Sequence, residues 1–235
     1  MNSGKMGAAG LDQEIGYNPI LTATVKNEQG VRDVGTLSEY SLQGSVKDEF
    51  VEDVKNRLRG LCDNVECEPF IDHEISYSLQ SSSGNAVTMR VSRSLAQSKM
   101  PWQLKYVGAL ETGKNKSCLM RNQVTVGCSE NVTSFLTELG FRADTEFLSK
   151  GYLYRKGRIK VVLSKLCKMK EPGQHQEQNL LPLTKSHLVE VSVTTLTGGE
   201  DPGPDLKHFA EMLKPQVKLT KVDHREIQSH TRPNF

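Results

Sequence analysis

Apolar and polar side chains alternate over much of the chain, at the spacing that places neighbouring side chains on opposite faces of a β-strand. In residues 87–95, for example, Val87, Met89 and Val91 share one face, and polar side chains share the other. This period predicts about ten strands of ordinary length. They cover residues 40–46, 70–79, 87–95, 102–106, 118–126, 141–148, 151–155, 158–167, 188–196 and 217–222.

Three segments instead carry apolar residues at spacings of three and four, which predicts helices. The first covers residues 48–62. The second follows Ser129, a predicted N-cap, and ends at Gly140, which can adopt the left-handed cap conformation. The third begins near Asp205 and ends before Pro215. We therefore expect three helices beside the strands.

Many strands with few helices and no strand–helix alternation indicate a mainly β (α+β) protein, with an antiparallel sheet closed into a barrel or folded as a sandwich. Residues 39–223 would form this single domain, with a polar loop at 171–186. Residues 1–38 contain too few apolar positions to offset the entropy of ordering them, which predicts a flexible tail. Residues 224–235 would form a polar C-terminal tail.

The composition narrows the possible partners. Thirty basic and twenty-eight acidic residues give a formal net charge of +2, too small for the long-range field of a dedicated nucleic-acid binder. We therefore expect no direct sequence-specific DNA binding. No run of about 18 apolar residues is present, so we expect no membrane partner. The five cysteines lack C-x-x-C spacing, which favours neither a disulfide framework nor a zinc site and is typical of a reducing compartment.

Motifs for catalysis are missing. The chain contains neither G-x-S-x-G, nor a dinucleotide G-x-G-x-x-G, nor a P-loop. His73 lies on the apolar side of its strand with Ile71, Ile75 and Tyr77, which predicts a buried or edge histidine satisfied by one hydrogen bond. We thus predict no enzyme activity, and no catalytic, cofactor-binding or metal-binding residues.

The strongest local charge feature is a run of basic residues without acidic ones between residues 150 and 170. It could contact phosphates or an acidic partner, or it could be the solvated face of a β-hairpin. Trp102 and Tyr106 are candidate anchors for a partner, although core packing is the competing interpretation for each. The candidate partner-binding residues are Trp102, Tyr106, Arg155, Lys156, Arg158 and Lys160.

Several segments together resemble the family of Mediator of RNA polymerase II transcription subunit 18, a head-module subunit of the Mediator coactivator. The resemblance runs collinearly over about residues 39–223. Its motifs are Tyr40-Ser-Leu-Gln-Gly-Ser-Val46, Arg57-Leu-Arg-Gly-Leu-Cys-Asp-Asn64, Asp72-His-Glu74, Pro101-Trp-Gln-Leu-Lys-Tyr-Val-Gly108, Ser129-Glu-Asn-Val-Thr133, Phe141-Arg142, Lys150-Gly151, Arg155-Lys-Gly157, Leu188-Val-Glu-Val-Ser-Val193 and Phe209-Ala-Glu-Met-Leu-Lys-Pro215.

The resemblance implies an antiparallel β-barrel of about eight to ten strands with about three peripheral helices. It implies a non-enzymatic scaffold in the nucleus that supports regulation of RNA polymerase II transcription through protein contacts. The implied partners are Mediator subunit 20, in a heterodimer, and the C-terminal helix of subunit 8. The resemblance also implies contacts with other head-module subunits and, indirectly, with RNA polymerase II.

A barrel of this family is also similar to that of the triphosphate tunnel enzymes, which suggests the alternative of a barrel that binds phosphate or polyanion. Those enzymes carry E-x-E-x-K on a strand, where two carboxylates hold a metal and the lysine contacts phosphate. The nearest match here is Glu66-Cys-Glu68, but Pro69-Phe70 follows in place of x-Lys. A separate RNA-binding module is a third possibility, and would require affinity that falls steeply with salt.

Overall fold

The computed structural model describes residues 24–26, 32–34, 37–63, 66–80, 86–97, 99–111, 117–171 and 173–222. The strands are β1 (Thr24–Lys26), β2 (Arg32–Val34), β3 (Leu37–Lys47), β4 (Glu68–Gln80), β5 (Ala86–Ser94), β6 (Trp102–Glu111), β7 (Leu119–Cys128), β8 (Arg142–Lys156), β9 (Ile159–Met169), β10 (Leu180–Pro182) and β11 (Ser186–Leu196). The helices are α1 (Val51–Leu61), α2 (Val132–Glu138) and α3 (Gly203–Met212), and short 3-10 turns cover Asp48–Phe50 and Glu177–Asn179.

Eight strands form a closed antiparallel barrel. Their order is β11, β3, β7, β6, β5, β4, β8 and β9, and β9 pairs back onto β11. The short strand β10 pairs with the end of β9, outside the ring. This arrangement confirms the predicted barrel with three peripheral helices, and closure leaves the eight strands without the free edges of an open sheet.

The main apolar core lies outside the barrel wall, under α1 and α3. It is formed by outward-facing side chains of β3, β9 and β11 together with Leu58 of α1 and Phe209 of α3. Leu58, Val161 and Leu163 are fully buried there. A second cluster lies under α2, where Val132 and Leu136 pack on β4, β5 and β6. The helices are thus amphipathic covers for an apolar outer wall.

The two strands predicted at 141–148 and 151–155 are one continuous strand, β8. Gly151 lies at the point where the prediction placed a break. A Cβ atom there would lie only 2.0 Å from the carbonyl oxygen of Leu163 on β9. The glycine therefore permits a close approach of two strand backbones and does not end the strand.

Around α2 and β4 the structure corrects two details and confirms two others. Ser129 is not the N-cap of α2: the cap position is Asn131, and no side chain caps the helix there. Gly140 has φ +91°, which confirms the left-handed position after this helix. His73 is buried and bonds Glu146 as predicted, whereas Ile71 is exposed because it lies beyond the covered part of its strand.

The polar loop predicted at 171–186 contains β10 and the 3-10 turn at Glu177–Asn179. The buried Asn179 side chain donates to the carbonyl oxygens of Glu171 (3.0 Å) and Gln174 (2.8 Å) and accepts from the Glu171 amide. This part of the chain is therefore a compact loop, closed by one asparagine.

The predicted strand at 217–222 is reduced to one antiparallel bridge, between Gln43 and Thr220. The predicted tails lie mostly outside the described residues. Within the first, the structure describes the pairing of β1 with β2, and β3 already begins at Leu37. No helix in the described part of the chain is both long and apolar enough to span a membrane.

Candidate interaction surface and barrel lumen

The interior of the barrel, called the lumen here, is lined by polar side chains. On β4 the residues between the buried outward positions face inwards, and these are Asp72, Glu74 and Ser76. Strand register places Ser94 and Ser92 of β5 directly opposite Asp72 and Glu74. The same alternation continues around the ring, so the apolar positions of most strands point out and the polar positions point in.

Charged lumen side chains of opposite sign lie opposite one another. Lys105 of β6 donates to Glu39 of β3 at 3.0 Å, and both side chains are largely shielded from solvent. Glu190 of β11 accepts a hydrogen bond from Gln43. Because these contacts cross from strand to strand, they favour one register of the wall.

Two carboxyl groups in the lumen resist ionisation. Burial raises the pKa of Glu74, and the nearby charges of Asp72 and Glu190 raise it further, against the opposing effects of Arg90 and Lys105. Burial also raises the pKa of Asp72, while Lys160 and a hydrogen bond from Ser94 lower it. Desolvation thus outweighs the attraction of neighbouring cations at both positions.

Two features of the lumen suit bound water. A cavity of about 30 Å³ lies at one mouth, lined by Asp72, Ser92, Ser94, Met100, Pro101 and Gln103. Such a volume suits one or two water molecules. Gln123 Oε1 and Thr125 Oγ1 are buried without a protein partner, and both lie on the lumen side of β7, where water could satisfy them. The polar side chains of the lumen thus line its wall and pair with one another across strands.

The nearest match to E-x-E-x-K, Glu66-Cys-Glu68, lies at the beginning of β4. Glu66 precedes β4, and Glu68 is its first residue. By alternation Glu68, Asp72 and Glu74 lie on the same face of this strand, and Ser76 follows them where a lysine would be required. Among the described residues, no group of three His, Cys, Asp or Glu residues is arranged to hold a metal ion. The alternating polar positions of residues 72–76 are the sequence signal for the lumen carboxylates.

The basic run on β8 and β9 is largely matched by acidic residues from other parts of the chain. Arg158 binds Asp205 at 2.7 Å, and Lys165 binds Asp48 at 2.6 Å. The longer ion pairs join Lys150 to Glu177, Arg155 to Glu68, Lys156 to Asp63 and Arg158 to Glu200. The basic run is therefore the surface of the β8–β9 hairpin, and ion pairs connect this hairpin to neighbouring parts of the chain.

The two candidate aromatic anchors have different positions. Trp102 is only 8% exposed and packs in the cluster under α2, where its indole Nε1 donates to Glu130 at 3.2 Å. Tyr106 is 40% exposed on the outer face of the same strand. Trp102 therefore supports the wall, and Tyr106 is available at its surface.

Tyr106 belongs to an apolar area that α1 and α3 do not cover and that α2 borders. We call it the open sheet face, and it consists of Met89, Leu104, Tyr106, Val124 and Val126. Register places Met89 and Val124 on either side of Tyr106, and Val126 opposite Leu104. Val126 is 41% exposed, and the other three residues are partly exposed. A contiguous apolar sheet face of this kind is typical of a protein interface.

Comparison with known proteins identifies the family. The model of the Med18 protein family matches residues 38–229. The chain is 46% identical to Mediator of RNA polymerase II transcription subunit 18 of Danio rerio over 82% of this chain and 93% of the relative. It is 42% identical to the subunit of the same name from Drosophila melanogaster, over 80% and 88% of the two chains.

Among solved structures, a chain of the Schizosaccharomyces pombe Mediator head module has a similar fold, with a TM-score of 0.60 at 17% identity, covering 79% of this chain and 98% of that one. Similarity of fold at this low identity agrees with the sequence relatives, which carry the assignment. The protein belongs to the family of Mediator of RNA polymerase II transcription subunit 18.

Proposed function

We propose that this protein is a non-enzymatic scaffold subunit of the Mediator complex, in its head module, and that it supports regulation of RNA polymerase II transcription in the nucleus. The family match over residues 38–229 carries this proposal, since the relatives are named as subunits of that complex. The open sheet face supports it, because a scaffold needs exposed apolar surface on a rigid wall.

We further propose that its direct partners are Mediator subunit 20 and the C-terminal helix of subunit 8. The outer wall offers a physical reason for a helical partner. Elsewhere on this barrel, apolar outer positions are covered by an amphipathic helix of the chain itself, as by Leu58 of α1 and Leu136 of α2. The open sheet face presents the same kind of surface to a partner.

Among the candidate contact residues, Tyr106 is the proposed anchor at the centre of this interface. Its ring can bury a large area at a small cost in side-chain entropy, which is typical of binding hot spots. Trp102 would act indirectly, by holding the strand on which Tyr106 lies. Arg155, Lys156, Arg158 and Lys160 would contribute charge at a separate edge, and internal ion pairs reduce the charge of the first three.

Affinity purification from nuclear extract tests the interface. Native protein should recover other Mediator subunits, and Tyr106→Lys should reduce their recovery because it places a charge in an apolar contact. Phe50→Lys is the matched control, since Phe50 is exposed to a similar degree on the side of α1. Equal recovery with both variants would rule out the open sheet face, and recovery of native chain alone would rule out the scaffold function.

The alternative of a phosphate-binding or polyanion-binding barrel has less support. The lumen pairs acidic with basic side chains, as in Glu39 with Lys105, so a cation of its wall is already matched by a carboxylate of this chain. We therefore expect neither thermal stabilisation nor hydrolysis with inorganic triphosphate and Mg²⁺. A clear rise in Tm with triphosphate would favour the alternative.

A further inference from the structure

Residues 173–179 contribute the last ring of a stack of three. The His175 ring lies 4.8 Å from the His73 ring, at an interplanar angle of 55°. His73 in turn makes an edge contact of 5.6 Å with Trp102. The exposed His175 side chain thus contacts the buried His73 ring and connects the loop to the wall.

The base of the loop is held separately from this contact. Asn179 ties the loop to Glu171 and Gln174, and the Lys170 amide donates to the Asn179 carbonyl at 2.9 Å. Lys150 pairs with Glu177 at 3.1 Å. The bonds that join Asn179 to Glu171 and Lys170 can therefore remain closed while the tip around His175, including Gln174, leaves the wall.

The groups that face His175 disfavour a positive charge on it. His73 comes from β4, Glu146 from β8 and Arg93 from β5. Glu146 is the sole acidic group among them, and it already bonds His73 Nε2 at 2.8 Å. Burial lowers the pKa of His175, and His73 and Arg93 lower it further, against the opposing effect of Glu146. A proton on His175 would add a cation beside the His73 ring and near Arg93, which Glu130 pairs at 2.7 Å.

We propose that residues 173–179 form a pH-sensitive strap, which packs over His73 and Trp102 while His175 is neutral and lifts from the wall when His175 is protonated. The strap leaves the barrel itself intact, because the cores under α1, α2 and α3 contain none of its residues. Its function is local: it determines whether the stack of His73 on Trp102 is covered or accessible.

Amide hydrogen exchange measures the opening. Within the loop, the Gln174 amide donates to Glu171 O at 3.3 Å and the Asn179 amide donates to Gln176 O at 2.9 Å. Between about pH 7.5 and about pH 5.5 we expect protection at Gln174 to fall about tenfold, after correction for intrinsic exchange rates. Protection at Asn179 should change less, and protection of β-strand amides such as Val91 should stay constant.

Two histidine variants decide the cause. His175→Gln removes the titrating ring, so protection at Gln174 should become independent of pH, whereas His208→Gln, on the exposed side of α3, should keep the native response. Trp102 is the single tryptophan, and its fluorescence should follow the same transition in native protein alone. The proposal is wrong if native protection is equal at both pH values, or if His175→Gln responds as the native protein does.

Discussion

The lumen face and the outer face of the barrel wall are formed by the same strands with opposite chemistry. On β4, Asp72 and Glu74 point into the lumen, while His73, Ile75 and Tyr77 are buried on the outside. The apolar core of this protein is therefore not enclosed by the barrel. It lies between the barrel and its helices.

This difference separates two kinds of stabilisation. On the outer wall, the free energy gained by burying side chains is roughly proportional to the apolar area buried. These side chains tolerate changes of shape as long as no large cavity is left. In the lumen, the energy of each hydrogen bond or ion pair depends on its direction and distance. A contact such as that of Lys105 with Glu39 therefore forms only in one strand register. We infer that helix packing supplies most of the stability, and that the lumen contributes specificity.

We expect the largest loss of stability where the backbones of two strands of the wall approach each other most closely. Gly151→Ala would place a methyl group against the Leu163 carbonyl oxygen, and neither strand can yield without loss of its ladder. We expect a loss of about 3 kcal/mol or more in the free energy of unfolding, measured by urea denaturation.

The matched control is Gly60→Ala in α1, where an added Cβ meets no atom within 4 Å. Alanine has the higher helix propensity, so this variant should gain up to about 1 kcal/mol. A Gly151→Ala protein as stable as the native one would contradict the close approach of β8 and β9.

We expect a smaller loss in the free energy of unfolding from two variants that compare the covered and the open parts of the outer face. Leu58→Ala removes a fully buried side chain under α1 and should cost about 3 kcal/mol. Tyr106→Ala, on the open sheet face, should cost less than about 1 kcal/mol in the isolated chain. Similar losses in thermal or urea unfolding would show that Tyr106 is part of the core and not of a free surface.

The sequence alone predicts the strands and helices well because period two and period 3.6 are local signals. In residues 71–77, alternation also assigned His73 and Tyr77 to one face of the strand. It could not show which face would be enclosed, since that depends on closure of the ring between β9 and β11. The polar lumen was therefore missed as a distinct region.

The remaining errors arise from contacts between distant parts of the chain. Gly151 resembles a strand terminator until β9 is placed beside it. The Gln-rich loop near His175 lacks any period, yet it is ordered by Asn179 and by a ring contact with His73. Basic residues such as Arg158 look unpaired in the sequence, because Asp205 is 47 positions away.

We expect the smallest effect from a variant that tests how much free energy it costs to ionise a carboxyl group in the lumen. Burial raises the pKa of Glu74, so ionising this carboxyl costs more in the folded protein than in the unfolded chain. Its contribution is absent at low pH, where both states are protonated, and becomes unfavourable as pH rises above the unfolded pKa of about 4.3. Glu74→Gln should therefore raise Tm at about pH 7.5 by on the order of 2–4 °C, equivalent to ~1 kcal/mol.

This gain should disappear below about pH 4, since the native carboxyl is then as neutral as the amide. Glu138→Gln, at an exposed position on α2, controls for the loss of one negative charge and should show no such pH dependence. If Glu74→Gln instead lowers Tm at neutral pH, then the charge on Glu74 is held by Arg90 and Lys105 more strongly than desolvation opposes it. The lumen would in that case stabilise the fold by ion pairing, and the contrast with the outer wall would be weaker than proposed.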